Sequence, residues 1–177
     1  MRMSDRGIRL IQDFEGYGPF WYRDAVGAWT IGYGHASNAE HDCHRWLHGI
    51  AKDEAMGLLR QDLFRFEVAT TSMLTRSTNE NQFDALCSLV YNCGPGNVAS
   101  SHLLAAINAD ADEAAIRPLW MTWCHAGGKE LAGLKLRRSR ELALYLTPVD
   151  DAIDVDETMA RVYSMAARMV ADSSVFG

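Results

Sequence analysis

The chain has 177 residues, of which 48% are hydrophobic and 23% charged, a balance that is typical of a globular protein with a buried core. No apolar run approaches the roughly 20 residues that a membrane span requires, and the N-terminus lacks the apolar segment of a signal peptide. The formal net charge of −6 disfavours nucleic-acid binding, which usually needs a basic surface.

The first predicted element is a helix that begins after Ser4, a good N-cap residue, and ends near Phe14. Its apolar residues recur at the three- and four-residue spacing of one helix face. Two glycines and a proline follow within five residues and end the pattern. We therefore expect Glu15 at the last turn of this helix.

A β-hairpin is predicted directly after the helix, because residues 20–23 and 28–33 are rich in aromatic and β-branched side chains. Asp24 opens the polar turn between these two strands. A hairpin would return Asp24 and Thr30 to the side of the helix that ends at Glu15.

The rest of the chain predicts helices. Asn79 and Gln82 have the spacing of a capping box at the start of an apolar core helix, and Pro118 predicts a kink or a break in a later helix. Residues 36–50 are polar and predict irregular structure. The fold class is therefore α+β, mostly α. The predicted helices span residues 52–74, 83–93, 100 or 101 to 107, 110 or 112 to 123, and 134–146, with a C-terminal helix around 159–169.

Glu15, Asp24 and Thr30 form a candidate catalytic group. Cleavage of an acetal needs a proton on the leaving oxygen and either a nucleophile or an activated water at the carbon, and two carboxylates on opposite sides of the bond provide both. The Thr30 hydroxyl could hold a water against Asp24. Acids that flank a hairpin are more often solvated turn residues or caps, so the spacing alone leaves both interpretations open.

The stretch E15-G-x5-Y22-x-D24-x2-G27-x2-T30-I-G-Y-G-H35 closely resembles the phage-type lysozymes, the endolysin muramidases of glycoside hydrolase family 24. Further motifs match in order over about residues 4–147. The resemblance implies a small β-hairpin lobe and a larger helical lobe with the active-site cleft between them. The later motifs are K52-D-E-A-x2-L58-x2-Q61-D62, Q82-F-D-A-L-x-S88-x2-Y91-N92-x-G94 and W123-x2-A126-G-G-x4-A-G133-L134-x2-R137-R138-x2-E141.

The resemblance also implies catalytic roles. Glu15 would protonate the glycosidic oxygen, Asp24 would stabilise positive charge on the sugar and help to activate water, and Thr30 would position that water. Family members usually described invert the anomeric centre, which requires carboxyl groups roughly 6.5–9.5 Å apart.

Other positions match the family with less specific roles. His35 is expected to form a structural pair with Asp62 and not to act in catalysis. Gly34, Tyr91 and Asn92 match substrate-binding positions, and the alternative for Tyr91 and Asn92 is a role as simple core and cap residues.

A basic residue is also expected near the site. Arg137 or Arg138 could pair with Glu15 in the resting enzyme and contact substrate, and we favour Arg137. The alternative is a solvated basic turn.

The predicted lysozyme domain comprises residues 1–147, with the sheet lobe at 14–50 and the remainder helical. Residues 148–177 would be an acidic, helical C-terminal extension, because they hold six acidic and two basic residues. One hypothesis is that this extension docks on a basic patch and either stabilises the fold or limits substrate access. The patch comprises Lys129, Lys135, Arg137, Arg138 and Arg140.

The four cysteines are expected to be buried thiols, with a disulfide and a metal site as alternatives. The segment His41-Asp42-Cys43-His44, with His48 nearby, contains metal-ligand types but lacks tidy tetrahedral spacing. We expect an exposed polar loop there and predict no metal site. The other three cysteines are Cys87, Cys93 and Cys124.

The resemblance implies hydrolysis of the β-1,4 bond between N-acetylmuramic acid and N-acetylglucosamine in peptidoglycan, without cofactor or metal. A phage endolysin would be a monomer that is made in the host cytoplasm and acts in the periplasm or cell wall after holin-dependent release. The first alternative is an antibacterial effector domain of a bacterial secretion system, which would have an immunity protein as partner. The second is a non-catalytic, glycan-binding protein with a lysozyme-like fold.

Overall fold

The computed structural model describes residues 1–24, 27–37, 45–149 and 155–172. The chain divides into two compact units: the sheet unit, Ile11–Arg65, and the helical unit, which joins Met1–Leu10 to Phe66–Gly177. The two boundaries fall inside helices α1 (Asp5–Glu15) and α2 (Lys52–Met73). The mostly helical α+β fold class is confirmed.

The sheet unit contains a three-stranded antiparallel sheet in the order β1 (Gly18–Arg23), β2 (Trp29–Gly32) and β3 (His35–Ser37). The predicted hairpin is confirmed as β1 and β2, in which Tyr22 lies opposite Thr30. The expectation of irregular structure from residue 36 onward is wrong for the end of β3. This strand is too short to show a pattern by itself and forms because β2 supplies a hydrogen-bonding edge.

A small apolar cluster holds the sheet unit together. Gly32, with a φ of 66°, allows the backbone of β2 to approach helix α2 closely. A Cβ atom at this position would lie 3.0 Å from the Cβ of Ala55, so a side chain here would push the two elements apart. The buried members of the cluster are Ile31, Trp46, Ile50, Ala55 and Leu58, with Tyr17, Trp21 and Tyr33 packed against them.

The helical unit is built around α3 (Glu80–Cys93), which packs on α7 (Ala132–Leu146). The capping box is confirmed: the Asn79 side chain accepts from the Gln82 backbone, and the Gln82 side chain accepts from the Asn79 backbone. Every residue from Phe83 to Val90 is buried, as expected for a core helix.

Shorter elements connect α3 to α7. The sequence analysis missed α4 (Pro95–Ala99), because Gly94-Pro95-Gly96 resembles a stop signal, whereas proline is well suited to the first position of a helix. α5 (His102–Asn108) and α6 (Glu113–Met121) begin after the caps Ser101 and Asp112.

α6 continues through Pro118 to Met121, so the chain does not break at the proline. A 3-10 helix over Thr122–Cys124 then leads into a two-stranded hairpin of β4 (His125–Ala126) and β5 (Lys129–Glu130).

The C-terminal helix α8 (Val155–Asp172) packs on α7. It buries Met159, Val162 and Ala166, so an apolar stripe makes the contact. The part of the docking hypothesis that assigns Arg138 to the acidic tail is wrong, because Arg138 is fully buried and pairs with Glu141 on its own helix. Within the described ranges, no helix combines the length and the apolar character that a bilayer crossing requires.

Candidate active site

Glu15 is the last residue of α1 and is half-buried. The helix stops there because Gly16 adopts a φ of 69°, a conformation that glycine reaches without strain. The amide of Gly16 donates to the carbonyl of Gln12 at 2.9 Å and closes the final turn. The local sequence thus fixes the point at which the Glu15 side chain leaves the helix.

Asp24 directly follows β1 and is held by hydrogen bonds to Gly27 and Ala28. Its carboxylate Oδ1 accepts from the amide of Ala28 at 2.8 Å, while its own amide donates to the Ala28 carbonyl at 3.0 Å. Gly27, with a φ of 83°, makes the turn and donates its amide to the Asp24 carbonyl at 3.0 Å. One carboxylate oxygen is therefore fixed by the backbone.

The second carboxylate oxygen of Asp24 faces Thr30. The distance from Thr30 Oγ1 to Asp24 Oδ2 is 3.5 Å, at the outer limit of a hydrogen bond. The same hydroxyl lies 3.4 Å from the carbonyl of Ala28, and Thr30 is only 3% exposed. This oxygen of Asp24 is thus paired loosely with a buried hydroxyl, a spacing at which water can compete for both groups.

Tyr22 lies within electrostatic range of both Glu15 and Asp24. The sequence analysis gave it no role. Partial burial raises the pKa of its phenol, and the negative charges of Glu15 and Asp24 raise it further. Both carboxylates therefore lie within electrostatic range of one hydroxyl group. Gly18 accommodates the ring, since a Cβ there would lie 2.8 Å from Tyr22 Cε1. The sequence feature that could have indicated this role is the position of Tyr22, two residues before Asp24.

His35 and Asp62 meet in the sheet unit. His35 Nδ1 lies 2.8 Å from Asp62 Oδ2, so the contact connects β3 with α2. The imidazole also packs edge-on against Trp46, with ring centroids 6.2 Å apart. Gly34, in the turn that precedes β3, has a φ of 81°.

The other predicted substrate-binding residues belong to the helical unit. The half-buried Tyr91 packs edge-on against Phe66, with ring centroids 5.0 Å apart. The exposed Asn92 accepts at Oδ1 from Nη2 of Arg138 at 2.9 Å. Arg137 is 5% exposed, and its Nε lies 3.1 Å from Glu141 Oε1.

A buried ionic cluster on α3 and α7 also went unrecognised in the sequence. Glu141 is fully buried, and its carboxylate lies 2.8 Å from Arg138 Nε and accepts from the Ser88 hydroxyl at 2.8 Å. The same guanidinium donates to the Cys93 sulfur at 2.9 Å as well as to Asn92. The cluster thus fixes the exposed end of α3. Its signal was the i,i+3 spacing of Arg138 and Glu141.

The cysteines in the described residues are free thiols. Cys87 and Cys124 are buried and Cys93 is half-buried. Because all three are free, no disulfide joins any two of them. Cys43 and the histidine-rich segment around it, residues 41–44, lie outside the described residues. The predictions of a thiol and of a polar loop there stay predictions.

Comparisons with known proteins give a consistent result. The sequence pattern of the family described as phage lysozyme matches residues 12–141. An endolysin of Salmonella phage P22 is 35% identical over 147 residues, which cover 83% of this chain and 99% of that protein. An endolysin of Bacillus phage B103 is 37% identical over 83% of this chain, which spans only 55% of that longer protein.

A solved structure agrees with the sequence matches. The muramidase domain of SpmX from Asticaccaulis excentricus superposes with a TM-score of 0.73 at 31% identity, covering 83% of this chain and 99% of that one. Sequence pattern, relatives and fold therefore agree, and this chain belongs to the phage lysozyme family.

Proposed function

We propose that this protein is a muramidase that hydrolyses the β-1,4 bond between N-acetylmuramic acid and N-acetylglucosamine in peptidoglycan, and that it serves as a phage endolysin. Membership of the phage lysozyme family supports the reaction class. The endolysin relatives support a role in lysing the host cell wall after release. We further propose that residues 1–147 form the catalytic domain, that the enzyme is a monomer and that a holin releases it.

The observation that carries the proposed roles is the unequal environment of the two Asp24 oxygens. The backbone amide of Ala28 fixes Oδ1, whereas Oδ2 faces the Thr30 hydroxyl at 3.5 Å. A water that bridges Oδ2 and Thr30 Oγ1 would be held by two groups and oriented by them. Asp24 thus has one oxygen for positioning and another for accepting a proton.

The reaction proceeds by acid and base catalysis. Glu15 donates a proton to the glycosidic oxygen as the bond to the anomeric carbon breaks. The water held by Asp24 and Thr30 attacks that carbon and gives its proton to Asp24, so the product has the inverted configuration. Exchange with solvent returns both carboxyl groups to their starting states. Glu15 thus supplies one proton, and Asp24 takes one proton from the attacking water.

The test is digestion of purified peptidoglycan in heavy-oxygen water, followed by mass analysis of the muropeptides. Wild type is expected to place one heavy oxygen on a reducing N-acetylmuramic acid end, because water attacks that carbon. Glu15→Gln is expected to release almost no product while it folds normally. Glu54→Gln is the matched control, because Glu54 is an exposed glutamate of the same unit, and it should resemble wild type.

Two outcomes would contradict the proposal. Heavy oxygen on N-acetylglucosamine ends would show that the other glycosidic bond is cut. Equal and negligible release by folded wild type and Glu15→Gln would favour a glycan-binding protein without catalysis.

A further inference from the structure

Three potential metal ligands meet at the β4–β5 hairpin of the helical unit: Cys124, His125 and Glu130. One donor atom of each lies within 4.8 Å of the other two. His125 and Glu130 are directly opposite each other in the strand register, and Cys124 ends the preceding 3-10 helix. The backbone of a tight hairpin, and not chance surface proximity, therefore brings them together.

The distances between these atoms suit a tetrahedral ion. Cys124 Sγ lies 3.4 Å from His125 Nδ1 and 3.6 Å from Glu130 Oε2. In a tetrahedral zinc site with Zn–S of about 2.3 Å and Zn–N or Zn–O of about 2.1 Å, neighbouring sulfur and nitrogen or oxygen ligands are about 3.6 Å apart. Both measured edges are close to that value before any side chain moves.

The cluster has one buried side and one open side. Cys124 is 3% exposed, whereas His125 and Glu130 are exposed. A thiolate, an imidazole and a carboxylate are a donor set that zinc accepts, and three protein ligands leave the fourth position for water. The open side allows an ion to enter from solvent.

The surroundings hold the ligands in place. The amide of Leu131 donates to the Cys124 carbonyl at 2.9 Å and closes the base of the hairpin. Lys135 Nζ lies 3.0 Å from Glu130 Oε1 and leaves the other oxygen, Oε2, directed at the thiol. A fixed outer partner of this kind orients a ligand. His125 Nδ1 also lies 3.3 Å from the Thr122 carbonyl, a contact that metal binding would replace.

We propose that Cys124, His125 and Glu130 bind one zinc ion, with water in the fourth position. Binding releases the thiol proton of Cys124 to solvent, because the thiolate is the ligand. The ion ties the end of the 3-10 helix to both strands of the hairpin. It takes no part in glycoside hydrolysis and stabilises the folded state, since the unfolded chain lacks the assembled site.

The test is titration of the reduced, metal-free full chain with Co²⁺, followed by displacement with Zn²⁺. One equivalent of Co²⁺ is expected to give the visible bands of a tetrahedral ion and a near-ultraviolet thiolate-to-cobalt charge-transfer band. Cys124→Ser should abolish the charge-transfer band, and Glu130→Gln should lower the affinity for Co²⁺ at least about tenfold. Glu130 is exposed, so its variant keeps the test decisive even if Cys124→Ser fails to fold.

Two controls separate this site from other thiols. Cys93→Ser tests the half-buried cysteine of α3, and Cys43→Ser tests the histidine-rich segment. Both are expected to keep the full spectrum and the same stoichiometry. The proposal is overturned if the charge-transfer band disappears in either control, if it survives in folded Cys124→Ser, or if Glu130→Gln binds Co²⁺ as tightly as wild type.

Discussion

Asp24 in the sheet unit and Glu141 in the helical unit are both carboxylates held by nearby donors, but they differ in burial and in the charges beside them. Asp24 is half-buried, and its Oδ2 lies 3.5 Å from the Thr30 hydroxyl, a long contact for a hydrogen bond. Glu141 is fully buried: its Oε1 accepts from Ser88, Arg137 and Arg138, and its Oε2 forms an ion pair with Arg138 Nε at 2.8 Å. A carboxylate that is to accept a proton from water must be within reach of solvent, whereas a fully buried carboxylate needs positive charge beside it.

The largest effect should come from removing the negative charge of Asp24. Asp24→Asn keeps the oxygen that accepts from Ala28 but can no longer take a proton, so activity should fall about 10²- to 10⁴-fold. The melting temperature should change little, because the turn keeps its hydrogen bond. Clearing of peptidoglycan suspensions and thermal melts measure the two quantities. A variant that loses stability in proportion to activity would show that Asp24 is structural.

Glu141→Gln should show the reverse pattern. It leaves the buried Arg138 without a compensating charge, which should cost about 3 to 5 kcal/mol of unfolding free energy. Urea denaturation measures the loss. At a temperature where the variant is still folded, activity per folded molecule should stay within about tenfold of wild type. A stability change below about 1 kcal/mol would break the comparison, since the cluster would then not depend on its carboxylate.

Removal of α8 tests how much its packing on α7 contributes to the stability of the fold. Deleting residues 149–177 exposes the partners of Met159, Val162 and Ala166, which should cost about 2 to 4 kcal/mol. The cut keeps Pro148, because the Asn81 side chain donates to the carbonyls of Thr147 and Pro148. Urea melts of the full and shortened chains give the difference. Equal stability would mean that the packing of α8 on α7 contributes nothing.

Asp84, a third kind of carboxylate, should give the smallest effect. Burial raises its pKa from 3.8 to about 7, against the opposing hydrogen bonds from Ser4. Between these values the folded protein keeps a proton that the unfolded chain has released, so stability should fall as pH rises from about 4 to about 7, by about 1 to 3 kcal/mol.

Urea midpoints across that range test the effect of Asp84. The variant Asp84→Asn cannot titrate at this position, so its midpoints should lack this part of the slope. Identical slopes for the two proteins would show that Asp84 stays ionised when folded.

Local chemistry was enough to predict much of the fold. The capping box at Asn79, the hairpin that carries Thr30 and the end of α1 at Glu15 each depend on a few neighbouring residues. The strand β3 was missed because its three residues are too few to show a strand pattern, although they pair with β2 only a few positions away. The helix α4 was missed because Pro95 ends one helix and begins the next.

The roles of Glu15, Asp24 and Thr30 rest on a family motif and stay predictions, and the comparisons place the chain in the matching family. Contacts that depend on burial were not predicted. The environment of Tyr22 needed coordinates, since it depends on the positions of the Glu15 and Asp24 carboxylates relative to the phenol. A fully buried arginine such as Arg138 contradicts the usual preference of charged residues for the surface, so sequence patterns give it little weight.

The contact from Arg138 to Asn92 has a consequence for protein engineering. The Arg138 guanidinium orients the exposed amide of Asn92. The buried Glu141 in turn fixes the position of that guanidinium. A library of variants that randomises only surface positions to change glycan preference would leave Arg138 and Glu141 unchanged. Conservative changes at the buried Ser88 or the half-buried Cys93, which contact the same ionic cluster, offer a finer adjustment of this amide.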